Sequence, residues 1–136
     1  MRPFYQRPLT VQERSITRWL IDHASCDESE KGEYFAQLEE ATVVGMCSCG
    51  CASVDFAISG LKSDPSAPLD PFGDFITKDQ RFGVFVFSRQ NRLAGIEIYS
   101  LQGDEAGSVF PSFEELVPMK TEANQFSERA QAPVAD

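Results

Sequence analysis

The sequence predicts an α+β fold, with two N-terminal helices packed on one face of a four- to five-stranded, mainly antiparallel sheet. Three observations carry this. Apolar residues recur at helical spacing between Thr10 and Ala41; the period then falls from 3.6 to 2 as β-branched and aromatic residues take over; and turn formers divide the second half into short runs. With 136 residues, 42% apolar and 24% charged, the chain has material for one hydrophobic core rather than two. The expected domain spans residues 1–118. Residues 119–136 have a single aromatic and no usable period, and are expected to form a flexible tail.

Thr10 and Glu13 have the T-x-x-E form of a capping box, in which each side chain accepts from the other residue's otherwise unpaired backbone N–H. A helix is therefore expected from Thr10 to about Ala24. Ile16, Trp19, Leu20 and His23 follow at i, i+3, i+4 and i+7, an apolar stripe for the core, with Arg14, Arg18 and Asp22 toward water. A second helix is expected with Ser29 as its cap and Tyr34, Phe35, Leu38 and Ala41 on its buried side. Gly32 weakens its first turn by about 1 kcal/mol relative to Ala.

Strands are expected at Thr42–Ser48 and Ala52–Ser59, joined through Cys49-Gly50-Cys51, where Gly50 supplies a positive φ without steric penalty. Residues 60–73 contain three prolines and two glycines and read as a connecting loop. Phe75–Thr77 reads as a short edge strand, and Gly83–Arg89 and Leu93–Leu101 as a hairpin turning at Gln90-Asn91. Apolar residues occupy both parities of GVFVF, which places that strand centrally. Ala94, Ile96 and Ile98 should face the core, and Leu93, Glu97 and Tyr99 the other side. Gly103 suits the turn that follows, and residues 110–117 a short return or helical turn.

Twelve Lys and Arg against 21 Asp and Glu give a formal charge of −9, which disfavours bulk attraction to nucleic acid or anionic membrane. The charge is regional. Residues 26–43 hold six acids against Lys31 alone, and Arg81, Arg89 and Arg92 form a basic patch. There is no apolar run long enough to span a membrane and no export-type h-region, so a cytoplasmic protein is expected. The four cysteines, three of them in the run CSCGC, are unlike a secreted disulfide framework and suit a reducing compartment.

Two groups of residues invite chemistry. Thiolates at Cys47, Cys49 and Cys51 suit zinc, with a fourth ligand from Cys26 or His23. Strand geometry opposes this: side chains two residues apart lie about 7 Å apart, whereas sulfurs around one tetrahedral zinc sit roughly 3.8 Å apart. Only a tight turn through Gly50 closes the gap. His23 is the sole histidine, so any histidine-dependent mechanism must use it. It reads more simply as a helix-end residue satisfied by carbonyls or water. The second group is set by alternation. Asp55 and Glu97 each interrupt a hydrophobic strand, and with Ser53 and Tyr99 they are expected on one outer sheet face, near Arg89 or Arg92. Such a face suits a cation, a basic side chain or a small polar ligand, set against ordinary alternation with solvated acids.

The runs VVGMCSCGCASVDF and RLAGIEIYSLQGDE resemble those of an uncharacterised family of small bacterial proteins of unknown function. In it a Cys/Gly-rich strand leads into Ser-Val-Asp, and a later strand has a Glu-x-Tyr-Ser pattern before an acidic turn. Val44, Gly45, Cys47, Cys49, Gly50, Cys51, Ser53, Val54 and Asp55 match the first element, and Leu93, Glu97, Tyr99, Ser100 and Gly103 the second. The resemblance covers about residues 35–118 and implies no activity or cofactor.

The leading functional expectation is a non-enzymatic cytosolic binding module whose acidic face engages a basic protein partner, an immunity-type protein being one instance. A thiolate zinc protein is the alternative, and a small hydrolase using Asp55 and Glu97 with Tyr99 a third reading. No recognised catalytic signature such as G-x-S-x-G, H-E-x-x-H or a P-loop is present. Self-association through an exposed edge or the uncovered sheet face is also expected to be possible.

Overall fold

The computed structural model describes residues 6–46, 50–103 and 107–119. Its elements are β1 (Arg7–Pro8), α1 (Val11–Asp22), α2 (Glu28–Glu39), β2 (Ala41–Met46), β3 (Val54–Ile58), β4 (Leu61–Lys62), β5 (Asp70–Thr77), β6 (Phe82–Arg89), β7 (Arg92–Ser100), a 3-10 turn at Phe113–Glu115 and β8 (Leu116–Pro118). The α+β class is as expected, but the sheet has eight strands among the described residues, not four or five. They are all antiparallel in the order β1-β2-β3-β7-β6-β5-β8, with β4 beside β3.

The Thr10–Glu13 box forms reciprocally and starts α1. Burial by itself would raise the Glu13 carboxyl. Hydrogen bonds from the Arg7 guanidinium at 2.8 and 2.9 Å and from the Thr10 N–H outweigh it and hold the pKa below the usual value. Ile16, Leu20 and Ile21 are buried, as is Thr17, whose hydroxyl donates to Glu13 O. His23 leaves the expected core stripe, being exposed and stacked on Trp19 at 4.1 Å, but its Nδ1 meets Trp19 O at the C-terminal end of α1, as a helix-end histidine satisfied by a carbonyl does. In α2 the cap is Asp27 rather than Ser29, because Asp27-x-x-Glu30 makes its own box. Tyr34 and Leu38 supply the buried side of α2, and Ala41 belongs to β2.

The helices cover one sheet face, and the core lies between them and Val43, Val54, Phe56, Phe75, Val84, Val86, Ile96 and Ile98. Gly73 permits close approach, since a Cβ there would lie 2.8 Å from Leu20 O in α1. Gln37 ties α2 to the β6–β7 turn: Nε2 donates to Asn91 O and Oε1 accepts from Leu93 N. That turn has positive φ at both Gln90 and Asn91, the type I′ geometry of a two-residue hairpin.

Three register shifts reshape the expected pattern, between Val43 and Gly45, Pro71 and Gly73, and Phe87 and Ser88. The last pairs Ser88 with Leu93 and Phe87 with Gly95, so one residue of β7 is skipped and Leu93 enters the core instead of the outer face. Residues 60–73 are not wholly loop. They contain β4 and the first half of β5, which lies between β6 and β8 rather than at the edge. Pro71 is accommodated in the irregular stretch of that strand. Met119 remains tied to the sheet through its N–H on Asp74 O. The rest of the expected tail lies outside the described residues, as do Cys47, Ser48 and Cys49. No helix among the described residues is long and apolar enough to cross a membrane.

Candidate functional site

The sheet face turned away from the helices is a small lattice set by register. One cross-strand row runs Asp74–Phe85–Glu97 over β5, β6 and β7, and the next runs Ile76–Gly83–Tyr99. A third runs Pro71–Phe87–Gly95–Asp55–Gly45. Directly opposed side chains in such rows are about 4.5–5.5 Å apart and diagonal neighbours roughly 7 Å. Alternation thus brings Asp55, Glu97 and Tyr99 to one face, Glu97 lying one diagonal step from Asp55.

The glycines of this face let neighbouring side chains lie flat on the sheet. The Tyr99 ring covers Gly83, the Phe87 ring covers Gly95, and the Asp55 carboxylate covers Gly45 with Oδ2 2.9 Å from where a Cβ would stand. Phe85 contacts both neighbouring rings, with centroids 5.8 Å from Phe87 and 5.8 Å from Tyr99. The guanidinium of Arg89 lies 5.5 Å from the Phe87 ring centroid, and its Nε donates to Ala67 O. The result is a strip of aromatic surface edged by carboxylates.

Electrostatics follow from this packing. Burial raises the carboxyl pKa of Asp55 despite attraction from Arg89 and Lys62. It raises that of Asp74 against a hydrogen bond from Tyr99, and that of Glu97, which Asp55 raises further. Burial and the nearby Asp74 push the Tyr99 phenol up to about 12, so it stays a neutral donor, with Oη 3.4 Å from Asp74 Oδ1 and 3.3 Å from Met119 Sδ. Among the described residues none of the three carboxylates forms an ion pair.

Ser53 does not join them. It precedes β3, and its Oγ accepts from Ile98 N at 2.9 Å and lies 3.3 Å from Ile98 O, so the hydroxyl continues the ladder where backbone pairing has stopped. Arg92 pairs with Arg89 at the hairpin end, and of the two only Arg89 acts on Asp55. Asp74 and Phe85 share this face with Asp55, Glu97 and Tyr99, although alternation in β3 and β7 alone does not mark them. Extending the alternation of Phe75 and Thr77 back by one residue marks Asp74, which falls between the loop expected at 60–73 and the strand expected at Phe75–Thr77.

The thiolate site is not assembled among the described residues, which contain no group of three or more potential metal ligands. Cys51 is half-buried with Sγ 3.3 Å from Ser53 Oγ, and it lines a 290 Å³ cleft with Thr10 and Glu13 at the start of α1. His23 and Cys26 follow the other end of α1. A 12-residue helix is about 18 Å long, so the length of α1 separates these two side chains from the end at which Cys51 sits. Burial and nearby Glu30 also raise the Cys26 thiol, against the thiolate a metal needs. Cys47 and Cys49 lie outside the described residues.

No protein-family model matches this chain, and neither a curated protein nor a solved structure is similar to it. The site's chemistry therefore rests on its own geometry.

Proposed function

We propose that this chain is a non-enzymatic binding module whose outer sheet face receives a cationic side chain of a basic protein partner, as an acidic immunity-type protein does. The supporting observation is the row Asp74–Phe85–Glu97, in which a phenyl ring stands between two carboxylates that lack ion-pair partners among the described residues. A guanidinium over the ring gains from the aromatic face and from both acids at once. It also relieves the cost of holding desolvated anions without a counter-charge. Arginine suits the row better than lysine, because a planar fork can stack and hydrogen-bond together. On this proposal the partner meets the chain in the cytosol, and membership of the uncharacterised bacterial family is part of the same reading.

A fluorescent nona-arginine peptide provides the probe. Binding is expected to saturate and to weaken with salt. The double variant Asp74→Asn, Glu97→Gln should lose about tenfold in affinity, the order expected for charge-assisted hydrogen bonds. A control pair on α2, Glu33→Gln with Glu39→Gln, makes the same change of net charge away from the sheet and should bind as the parent does. Equal losses in the two pairs would mean that the −9 charge alone attracts the peptide, and the proposal would fall.

A further inference from the structure

The helix layer carries a second concavity, unrelated to the acidic face. It is a cleft of 430 Å³ lined by Ser15, Arg18, Trp19, Asp22, Phe35 and Phe113, within the size range of small-molecule sites. Three aromatic side chains in one exposed cleft need an account. Trp19 is anchored from below, its ring edge-on to buried Phe75 at 4.9 Å, and it lies nearly parallel to Phe113 at 5.8 Å, with 13° between the planes. Phe113 is 40% exposed although it sits on a turn capped by Ser112. The walls are thus held in place by the fold while presenting apolar surface to solvent, which lowers the ordering cost of a ligand.

The cleft is lined by one cation, Arg18, and one anion, Asp22, a helical turn apart on α1. The Asp22 carboxylate lies 3.9 Å from His23 Nδ1, which is itself hydrogen-bonded to Trp19 O, and Lys31 Nζ donates to the Asp22 backbone carbonyl at 2.7 Å. Arg18 lies 4.6 Å from the Phe35 ring centroid and has no carboxylate partner among the described residues. A guanidinium resting on an aromatic wall, with the carboxylate of its own cleft outside ion-pair distance, is a receptor for a planar anion.

We propose that this cleft binds a small aromatic carboxylate, its ring against Trp19, Phe35 and Phe113 and its carboxylate on Arg18. The site is independent of the cation-binding face proposed above, and either can fail alone.

Trp19 is the only tryptophan of the chain and reports on the cleft directly. Its emission is followed during titration with 3-phenylpropionate, 3-phenylpropionamide and phenethylamine at fixed ionic strength. The acid should give a saturable change, the amide should bind about tenfold more weakly for want of the charge-assisted contact, and the amine more weakly still. Arg18→Gln should bring acid and amide to equal affinity, and Phe113→Ala should weaken both. Both positions are exposed, and unchanged unfolding midpoints will show that the variants fold. Amide shifts in residues 15–22 by NMR give a second readout that does not depend on the indole. No saturable response in either readout overturns the proposal. So does an amide that binds as well as the acid, or an acid preference that survives Arg18→Gln. A change of molecular mass on Phe113→Ala would assign the cleft to contact between copies of the chain and would equally overturn it.

Discussion

Gly95 and Gly32 show how differently one methyl group is received at two places in this fold. A Cβ at Gly95 would stand 2.5 Å from Val54 O and 2.7 Å from the Phe87 ring, so backbone as well as side chain would have to move. Gly95→Ala should destabilise by about 1–3 kcal/mol, the usual cost of overpacking. It should also lift Phe87 and disturb the outer face. Gly32 in α2 has nothing within 4 Å of that position, and its φ is not in the left-handed region. Gly32→Ala should stabilise by up to about 1 kcal/mol, through helix propensity and a less flexible unfolded chain. Urea midpoints of the two variants measured side by side check both signs. A Gly95→Ala protein as stable as the parent would mean that the close covering of this glycine by Phe87 is not what holds the aromatic strip.

At the scale of elements, the β6–β7 hairpin carries a local conflict. Gln90 at φ 55° and Asn91 at φ 64° form a type I′ turn, but only Asn suits positive φ among the two. Gln90→Asn with Asn91→Gly should stabilise by about 1 kcal/mol, since the left-handed region costs an ordinary residue roughly that much, and a raised thermal midpoint would report it. The same turn was legible in the sequence, because Gln90-Asn91 falls between two apolar runs. The start of α1 was legible for a similar reason: its capping box is encoded within four residues. The cap of α2 was not: Ser29 is a good cap by residue type, but only Asp27 has Glu30 at the right distance to complete a box. Strands β1 and β4 were not legible, and β8 only as the short return or helical turn expected over residues 110–117. Two or three residues have no period, and their pairing depends on partners far away in sequence. The bulges escaped as well, and with them the turn of Leu93 into the core. For the candidate site, parity brings Asp55, Glu97 and Tyr99 to one sheet face because β3 and β7 are regular where those residues stand. It misplaced Ser53, which lies just outside β3, and it omitted Asp74 because the start of β5 is masked by Pro68 and Pro71.

Across the whole molecule, opposed carboxylate shifts set how stability changes with pH. Asp55, Asp74 and Glu97 are raised on folding, so between their ordinary and raised pKa values the folded chain holds more protons than the unfolded one. Stability from these groups is full below the ordinary carboxylate range and declines as pH rises through the raised values. Glu13 runs the other way: its carboxyl is lowered, its contribution is complete above the ordinary 4.5, and it is lost as pH falls through the lowered value. Self-repulsion of the −9 chain adds to the decline on the alkaline side. Glu97→Gln should therefore raise stability at neutral pH, flatten the decline above pH 4.5, and change little below it. Glu13→Gln should cost about 1.5–3 kcal/mol at neutral pH by stripping charge from the hydrogen bonds with Arg7 and the Thr10 N–H. That cost should shrink toward acid. Urea unfolding of parent and both variants from pH 3 to pH 8 tests the pair. The decisive result is opposite signs at neutral pH; destabilisation by Glu97→Gln would mean that the outer-face carboxylates are already compensated within the fold and have no call on a cation from outside.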